Sequence, residues 1–261
     1  MNGWQIAVTA APVAAQTQFT SLNVAVALLM VAIAVGLSFW QRLSLERDML
    51  LACVRAFIQL LAIGYVIQLV FSSRSFWFVL LLVAPMIGFA TFTSGRRLRG
   101  IPDCCVVAGV SITLASALTL VLLVALEVVP STARYVVPLG GMVVDNAMNV
   151  MSVVGTRLRE EMESERRLVE AARPSLRRAV RVAMIPLIDN TKTIGLVFLP
   201  GAMTGMILAG ADPLDAVKLQ AIVMYMLIGT VAIAAATAAF LVQRRLFTRQ
   251  EQLRRLHAPR R

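Results

Sequence analysis

The stretch Ile185-Pro186-Leu187-Ile188-Asp189-Asn190-Thr191-Lys192-Thr193-Ile194-Gly195-Leu196-Val197-Phe198-Leu199-Pro200-Gly201-Ala202-Met203-Thr204-Gly205 sets a run of polar residues between a proline and a glycine-rich apolar run. A segment made only to sit in lipid has no use for Asp189, Asn190 and Lys192 together. A water-soluble helix would not continue into so long an apolar run. The stretch therefore reads as a joint. Pro186, Asp189, Asn190 and Lys192 form an elbow at 185–193 near the cytosolic face, more suited to passing on force than to binding substrate. Residues 194–210 form a membrane helix hinged at Pro200, whose ring removes the backbone hydrogen bond to Leu196. Gly201, Gly205 and Ala209, at four-residue spacing, make a seam where another helix can approach closely.

The rest of the chain supports a membrane setting. Of its 261 residues, 59% are hydrophobic and 15% charged, and the mean hydropathy is +0.79. Soluble domains are about 45–50% apolar and about 25% charged. The formal charge of +11 does not mark a nucleic-acid binder, because the basic residues lie between apolar runs rather than on one face with interleaved aromatics. No basic residue precedes Arg42, so a secretory leader is not expected. Cys53, Cys104 and Cys105 form no CxxC, and His257 is the sole histidine, so neither a disulfide framework nor a zinc site is expected.

Residues 1–20 are uncharged and read as a flexible tail. Apolar runs follow at about 22–40, 50–71, 76–93, 105–129, 135–154, 187–210 and 219–242. Each is close to the ~20 residues needed to cross a ~30 Å hydrocarbon core. Each must be helical, since lipid offers backbone polar groups no other partner. The expected fold is all-α, with about seven transmembrane helices over 21–245. With the N-terminus outside, the loops 41–49, 94–104 and 155–183 and the tail 243–261 are cytosolic. They hold 2, 3, 8 and 7 of the 25 Lys and Arg, 20 together, against Arg74, Arg134 and Lys218 on the other side. Such asymmetry is the positive-inside signature and places the C-terminus, with its basic tail at 246–261, in the cytosol. The one long loop, 155–183, alternates acidic and basic residues in a pattern suited to helix, with Pro174 dividing it and a second helix starting near Ser175.

An ionisable residue at bilayer depth costs on the order of 3 kcal/mol and calls for a reason. On the fifth run Gly141, Asp145, Met148, Asn149 and Ser152 share one helical face. Asp145 and Asn149, with Met148, read either as a substrate or ion path with oxygen donors or as a buried hydrogen bond between helices. On the second run Arg55 and Gln59 fall on one face; Arg55 either snorkels to the interface or pairs with Asp145 or Asp189. Met142, Met148, Met151, Met203, Met206, Met224 and Met226 could line a soft-metal path, but filler in apolar helices is the favoured reading. No metal-ligand set is evident.

The chain has no P-loop (Gly-x-x-x-x-Gly-Lys-Ser/Thr) and only two lysines, Lys192 and Lys218. It has no Ser/His/Asp or Cys/His constellation. A transporter or channel is expected, not an enzyme.

Several stretches together resemble one family. They are Leu45-Glu46-Arg47-Asp48-Met49-Leu50, Arg55-Ala56-Phe57-Ile58-Gln59-Leu60, Pro138-Leu139-Gly140-Gly141-Met142, Asp145-Asn146-Ala147-Met148 and, most specifically, Asp189 to Gly205 continuing to Ala211-Asp212-Pro213. The chain is similar over roughly 40–245 to the FetB-like family of ABC transporter permeases, with relatives among plant aluminium-tolerance permeases. The resemblance implies the membrane subunit of an ATP-driven exporter in the inner or plasma membrane. ATP would be bound by a separate cytosolic ABC ATPase, the permease would carry no cofactor of its own, and it would act as a homodimer. Bacterial members are associated with iron export and plant members with UDP-glucose transport, so the substrate stays open between these and another solute. ABC permeases contact their ATPase through a short cytosolic helix, marked EAAxxxG in importers. Glu170-Ala171-Ala172 matches its start, with Leu176 at the glycine position, which sets the expected coupling surface at about 160–182 with Arg177, Arg178 and Arg181. A partner-free ion-coupled carrier or channel, relaying charge through Asp145, Asp189 and Lys192, is the competing class.

This topology has a direct check. Reporter fusions after residues 100, 168 and 261 should show cytosolic activity, and a fusion near 131 should show external activity. An external reading at 168 contradicts the alternation.

Overall fold

The computed structural model describes residues 21–42, 44–71, 76–98, 101–165 and 172–246. The expected tails at 1–20 and, but for the last turn residue Leu246, at 246–261 lie outside these residues. Every named element is a helix: α1 (Ser21–Trp40), α2 (Glu46–Phe71), α3 (Phe76–Arg97), α4 (Cys104–Ala125), α5 (Ala133–Glu165), α6 (Ala172–Thr193), α7 (Gly201–Leu208) and α8 (Pro213–Leu246). Among the described residues, five helices are long and apolar enough to cross a membrane, namely α2, α3, α4, α5 and α8. The protein is a polytopic helical membrane protein. Within α1, Val26–Trp40 is a shorter apolar helix.

Two compact units divide the chain, the first ending after α2 and the second holding α3 to α8. In the first, α1 packs on α2. The buried Ser38 hydroxyl donates to the Glu46 carboxylate at 2.9 Å and accepts from the Leu45 amide at 3.4 Å. This closes the tight connection between the two helices.

In the second unit the two longest helices, α5 and α8, are the axis. At 33 and 34 residues each runs about 50 Å, well beyond a ~30 Å hydrocarbon core. Their close approach follows from sequence: Ala234, Ala235, Ala238 and Ala239 of α8 are fully or almost fully buried and meet Ala147, Met151 and Val154 of α5 in one core cluster. Small residues matter here because lipid tails are as apolar as leucine, so association rests on packing and interhelical hydrogen bonds. Side-chain hydroxyls among the described residues make such contacts. Thr230 on α8 donates to Thr119 on α4 at 3.0 Å, and Ser94 on α3 lies 3.0 Å from Ser152 on α5. Beyond the apolar layers, Arg245 at the end of α8 pairs with Asp103 at the head of α4.

The ends of the helices obey local chemistry. Asp212 caps α8, its carboxylate accepting from the amides of Leu214 at 2.8 Å and Asp215 at 3.3 Å, and Pro213 supplies the preset φ of the first turn. Gly210, at φ +88°, ends α7, with Gly210 donating to Ile207 and Ala211 to Met206 at 3.0 Å, the Schellman arrangement. Glu127 ends α4 in the same way at φ 53° despite its side chain.

The expected elbow over 185–193, followed by a membrane helix over 194–210 hinged at Pro200, is not what forms. α6 already begins at Ala172, so Pro186 lies inside a helix rather than at an elbow, and Pro174 sits in its first turn. The helix stops at Thr193, residues 194–200 are non-helical, and Pro200 is the extended N-cap of the short α7, at φ −64° and ψ 145°. Two residues enforce the break. Gly195 takes φ +79°, and Pro200 bars the residue before it, Leu199, from the helical region. The turn satisfies itself: the amides of Leu196 and Val197 donate to the Thr193 carbonyl at 3.2 and 2.9 Å, and that of Gly195 to Phe198 at 2.9 Å.

Close packing between α3 and α5 can be tested at one glycine. A Cβ on Gly155 would lie 2.3 Å from Cδ2 of Leu98, a side chain only 1% exposed and so unable to move aside. Gly155→Ala should lower stability by about 1–3 kcal/mol, read as a fall in thermal midpoint in detergent. Gly229→Ala, where nothing lies within 4 Å, should leave it unchanged or raised.

Candidate functional site

Asp145 sits near the middle of the membrane-crossing part of α5, Ala133–Glu160. It faces outward from the second unit, as does Asn149 one turn on. The Asn149 amide donates to the Asp145 carboxylate at 3.2 Å. The two therefore act as one polar group, with one carboxylate oxygen and the amide oxygen still open to a ligand. Gly141, one turn before, leaves space where a side chain would stand, with nothing within 4 Å of its Cβ position.

The shared face expected from spacing splits in the structure. Asp145 and Asn149 stay exposed, but Met148 packs half-buried against the core cluster. Its carbonyl accepts from Ser94 at 3.2 Å and from Ser152 at 2.8 Å. Ser152 is buried at the α3 contact. The exposed stripe continues along α5 to a hollow of about 340 Å³ lined by Arg97, Ser152, Val153, Thr156, Arg157 and Glu160. There Arg157 and Glu160 pair at 3.2 Å. Sequence reading missed this charged continuation, although the i,i+3 and i,i+4 spacing of 149, 153, 156 and 160 carries it.

Arg55 and Gln59 lie exposed on α2 of the first unit, one turn apart as spacing requires. On α6, Asp189, Asn190 and Lys192 are exposed, and Lys192 donates to Asp189 at 3.1 Å. The Thr193 hydroxyl bonds back to the carbonyl of Asp189 at 3.1 Å and that of Asn190 at 3.2 Å, which helps end the helix. The polar cluster is thus the last turn of α6, against the break. Gly201 and Gly205 of α7 are exposed, and no described atom lies within 4 Å of the Cβ position of either. The seam is unfilled within the described chain.

Of the expected coupling residues, Glu170 and Ala171 lie outside the described residues, and Ala172 begins α6. Arg177, Arg178 and Arg181 are exposed on its first turns. Among the described residues no three His, Cys, Asp or Glu side chains gather as a metal site.

A family described as an uncharacterised protein family, UPF0014, matches residues 21–247. The UPF0014 membrane protein STAR2 of Oryza sativa subsp. japonica is 44% identical over 234 residues, 85% of this chain and 82% of that protein. The protein ALUMINUM SENSITIVE 3 of Arabidopsis thaliana is 40% identical over 240 residues, 88% of both. The probable iron export permease protein FetB of Escherichia coli strain K12 is 32% identical over 245 residues, 90% of this chain and 95% of that protein. No solved structure matches.

The break separates two accounts of 187–210 by the sign of one substitution. In a continuous helix Gly195→Ala gains about 1 kcal/mol; at φ +79° it should instead lose about 1 kcal/mol or more. The thermal midpoint should fall, and a rise restores the continuous helix.

Proposed function

This chain belongs to the UPF0014 family, and on that premise we propose that it is the membrane permease subunit of an ABC-type exporter carrying a metal cation, with iron the first candidate. The carrying observation is the exposed Asp145–Asn149 pair at mid-span. A carboxylate there cannot face acyl chains without a cost of about 3 kcal/mol. Lining a watery path for a cation gives it a reason to be charged. Relatives named as a probable iron export permease and as an aluminium-sensitivity protein favour a cation over a sugar nucleotide.

Among the described residues Asp145 and Asn149 are joined by no cluster of three acidic, His or Cys ligands, whereas hard cations take six or more oxygens. A homodimer facing its two α5 stripes across the path doubles the set, and water completes it. The chain itself is a transport subunit and not an enzyme. With no P-loop of its own, it takes its energy from a separate cytosolic ABC ATPase that binds the ATP. Coupling falls on the connection between α5 and α6, with Arg178 on the neighbouring turn. Force applied there passes along α6 to the break at 194–200. That break, not a kink at Pro200, is the joint about which α7 and α8 shift and the α5 stripe changes the side to which it opens. The N-terminus is outside, the C-terminus cytosolic, and the membrane is the inner or plasma membrane. In this topology α6, the break and α7 together make the sixth crossing.

The test is co-expression with a candidate ABC ATPase followed by purification in nanodiscs. The permease should co-purify with the ATPase and stimulate its hydrolysis. Cells carrying the pair should hold less iron under iron load, and Asp145→Ala should reduce export at least about tenfold at equal expression, the effect of losing one charged ligand. Flux that follows an ion gradient without any ATPase would establish the carrier reading instead.

A further inference from the structure

Between α6 and α8 the second unit has a groove of about 700 Å³, within the usual size of a ligand pocket. Its middle is apolar, with Val180, Met184 and Ile188 of α6 facing Ala236 and Phe240 of α8. Arg177 and Arg181, one turn apart, line one end, and among the described residues neither forms an ion pair. Arg244 stacks on the Phe240 ring, 4.3 Å from its centroid, adding a guanidinium beside the lining. At the other end Asp189 and Lys192 neutralise one another at 3.1 Å.

We propose that this groove binds one anionic phospholipid, its phosphate held by Arg177 and Arg181 and one acyl chain laid along the apolar wall. Length, charge and chemistry agree. From Arg177 to Ile188 the helix rises about 16 Å, close to one leaflet's half of the ~30 Å hydrocarbon core. Guanidinium groups match phosphate with paired hydrogen bonds, and basic pockets between membrane helices recognise acidic headgroups. A zwitterionic lipid brings an ammonium group toward the same arginines and gains less. The site rests only on the membrane setting of the chain, so it stands whatever the transported solute. It also gives Arg177 and Arg181 a role separate from that of Arg178, which does not line the groove.

The full chain in detergent, titrated with phosphatidylglycerol or phosphatidylcholine and weighed by native mass spectrometry, decides the matter. Wild type should retain one phosphatidylglycerol and prefer it to phosphatidylcholine. The double variant Arg177→Ala/Arg181→Ala should bind it about thirtyfold more weakly, and Arg178→Ala should bind as wild type. Ala236→Trp, which fills the groove and keeps both arginines, should also lose the lipid. Equal retention by the double variant, equal binding of phosphatidylcholine, retention by Ala236→Trp, or displacement by inorganic phosphate alone would each overturn the proposal.

Discussion

Hydrocarbon offers no hydrogen-bond partner, so each backbone amide or carboxylate within it must be satisfied by protein or water, at a cost of several kcal/mol if it is not. The structure depends on how that constraint is met at two places. In the break between α6 and α7, the amides of Ile194, Gly195, Leu196 and Val197 all find acceptors within the segment 190–198. The turn between α6 and α7 thus carries hydrogen-bond partners for these amides within itself. On α5, Asp145 takes a hydrogen bond from Asn149 but keeps further acceptor sites, a half-satisfied state that only a wet or protein-lined surface tolerates.

The same constraint explains the interior. Helices already lie in an apolar solvent, so the α5 and α8 axis is held by alanine-scale approach and by hydroxyl bonds rather than by expulsion of water. Ala238 is fully buried because nothing larger would let α5 come so near. Thr230 joins α4 and α8, its hydroxyl lying 3.0 Å from that of Thr119 and 2.8 Å from the Met226 carbonyl. Against so tight an axis, the exposed stripe of α5 and the α6–α8 groove stand out as surfaces kept open.

Much of this was legible in the residues. Hydropathy runs locate α1 to α5 and α8, because length and apolar content are what the bilayer selects for. The polar pair at 145 and 149 follows from 3.6-residue spacing. Hydropathy could not see the backbone at Gly195, since Ile194 to Leu199 score as apolar whether helical or turned. The same spacing that pairs Asp145 with Asn149 also gathers Met148 and Ser152, and no wheel says which side of a face meets a neighbour. Only α3, with Ser94 beneath Met148 and Ser152, divides them. A second helix is expected near Ser175 and forms from Ala172, since the first turn of a helix tolerates Pro174.

The central claim is that the mid-span face of α5 around Asp145 meets water. Single spin labels placed in turn along α5 from Pro138 to Thr156, in liposomes of the full chain, measure it through contact with a polar relaxant and with oxygen. The account predicts polar-relaxant contact peaking at 145 and 149 with helical period, and protection at the buried Ala147 and Met151. Oxygen contact at 145 and 149 without the polar relaxant would place that face in lipid and contradict it.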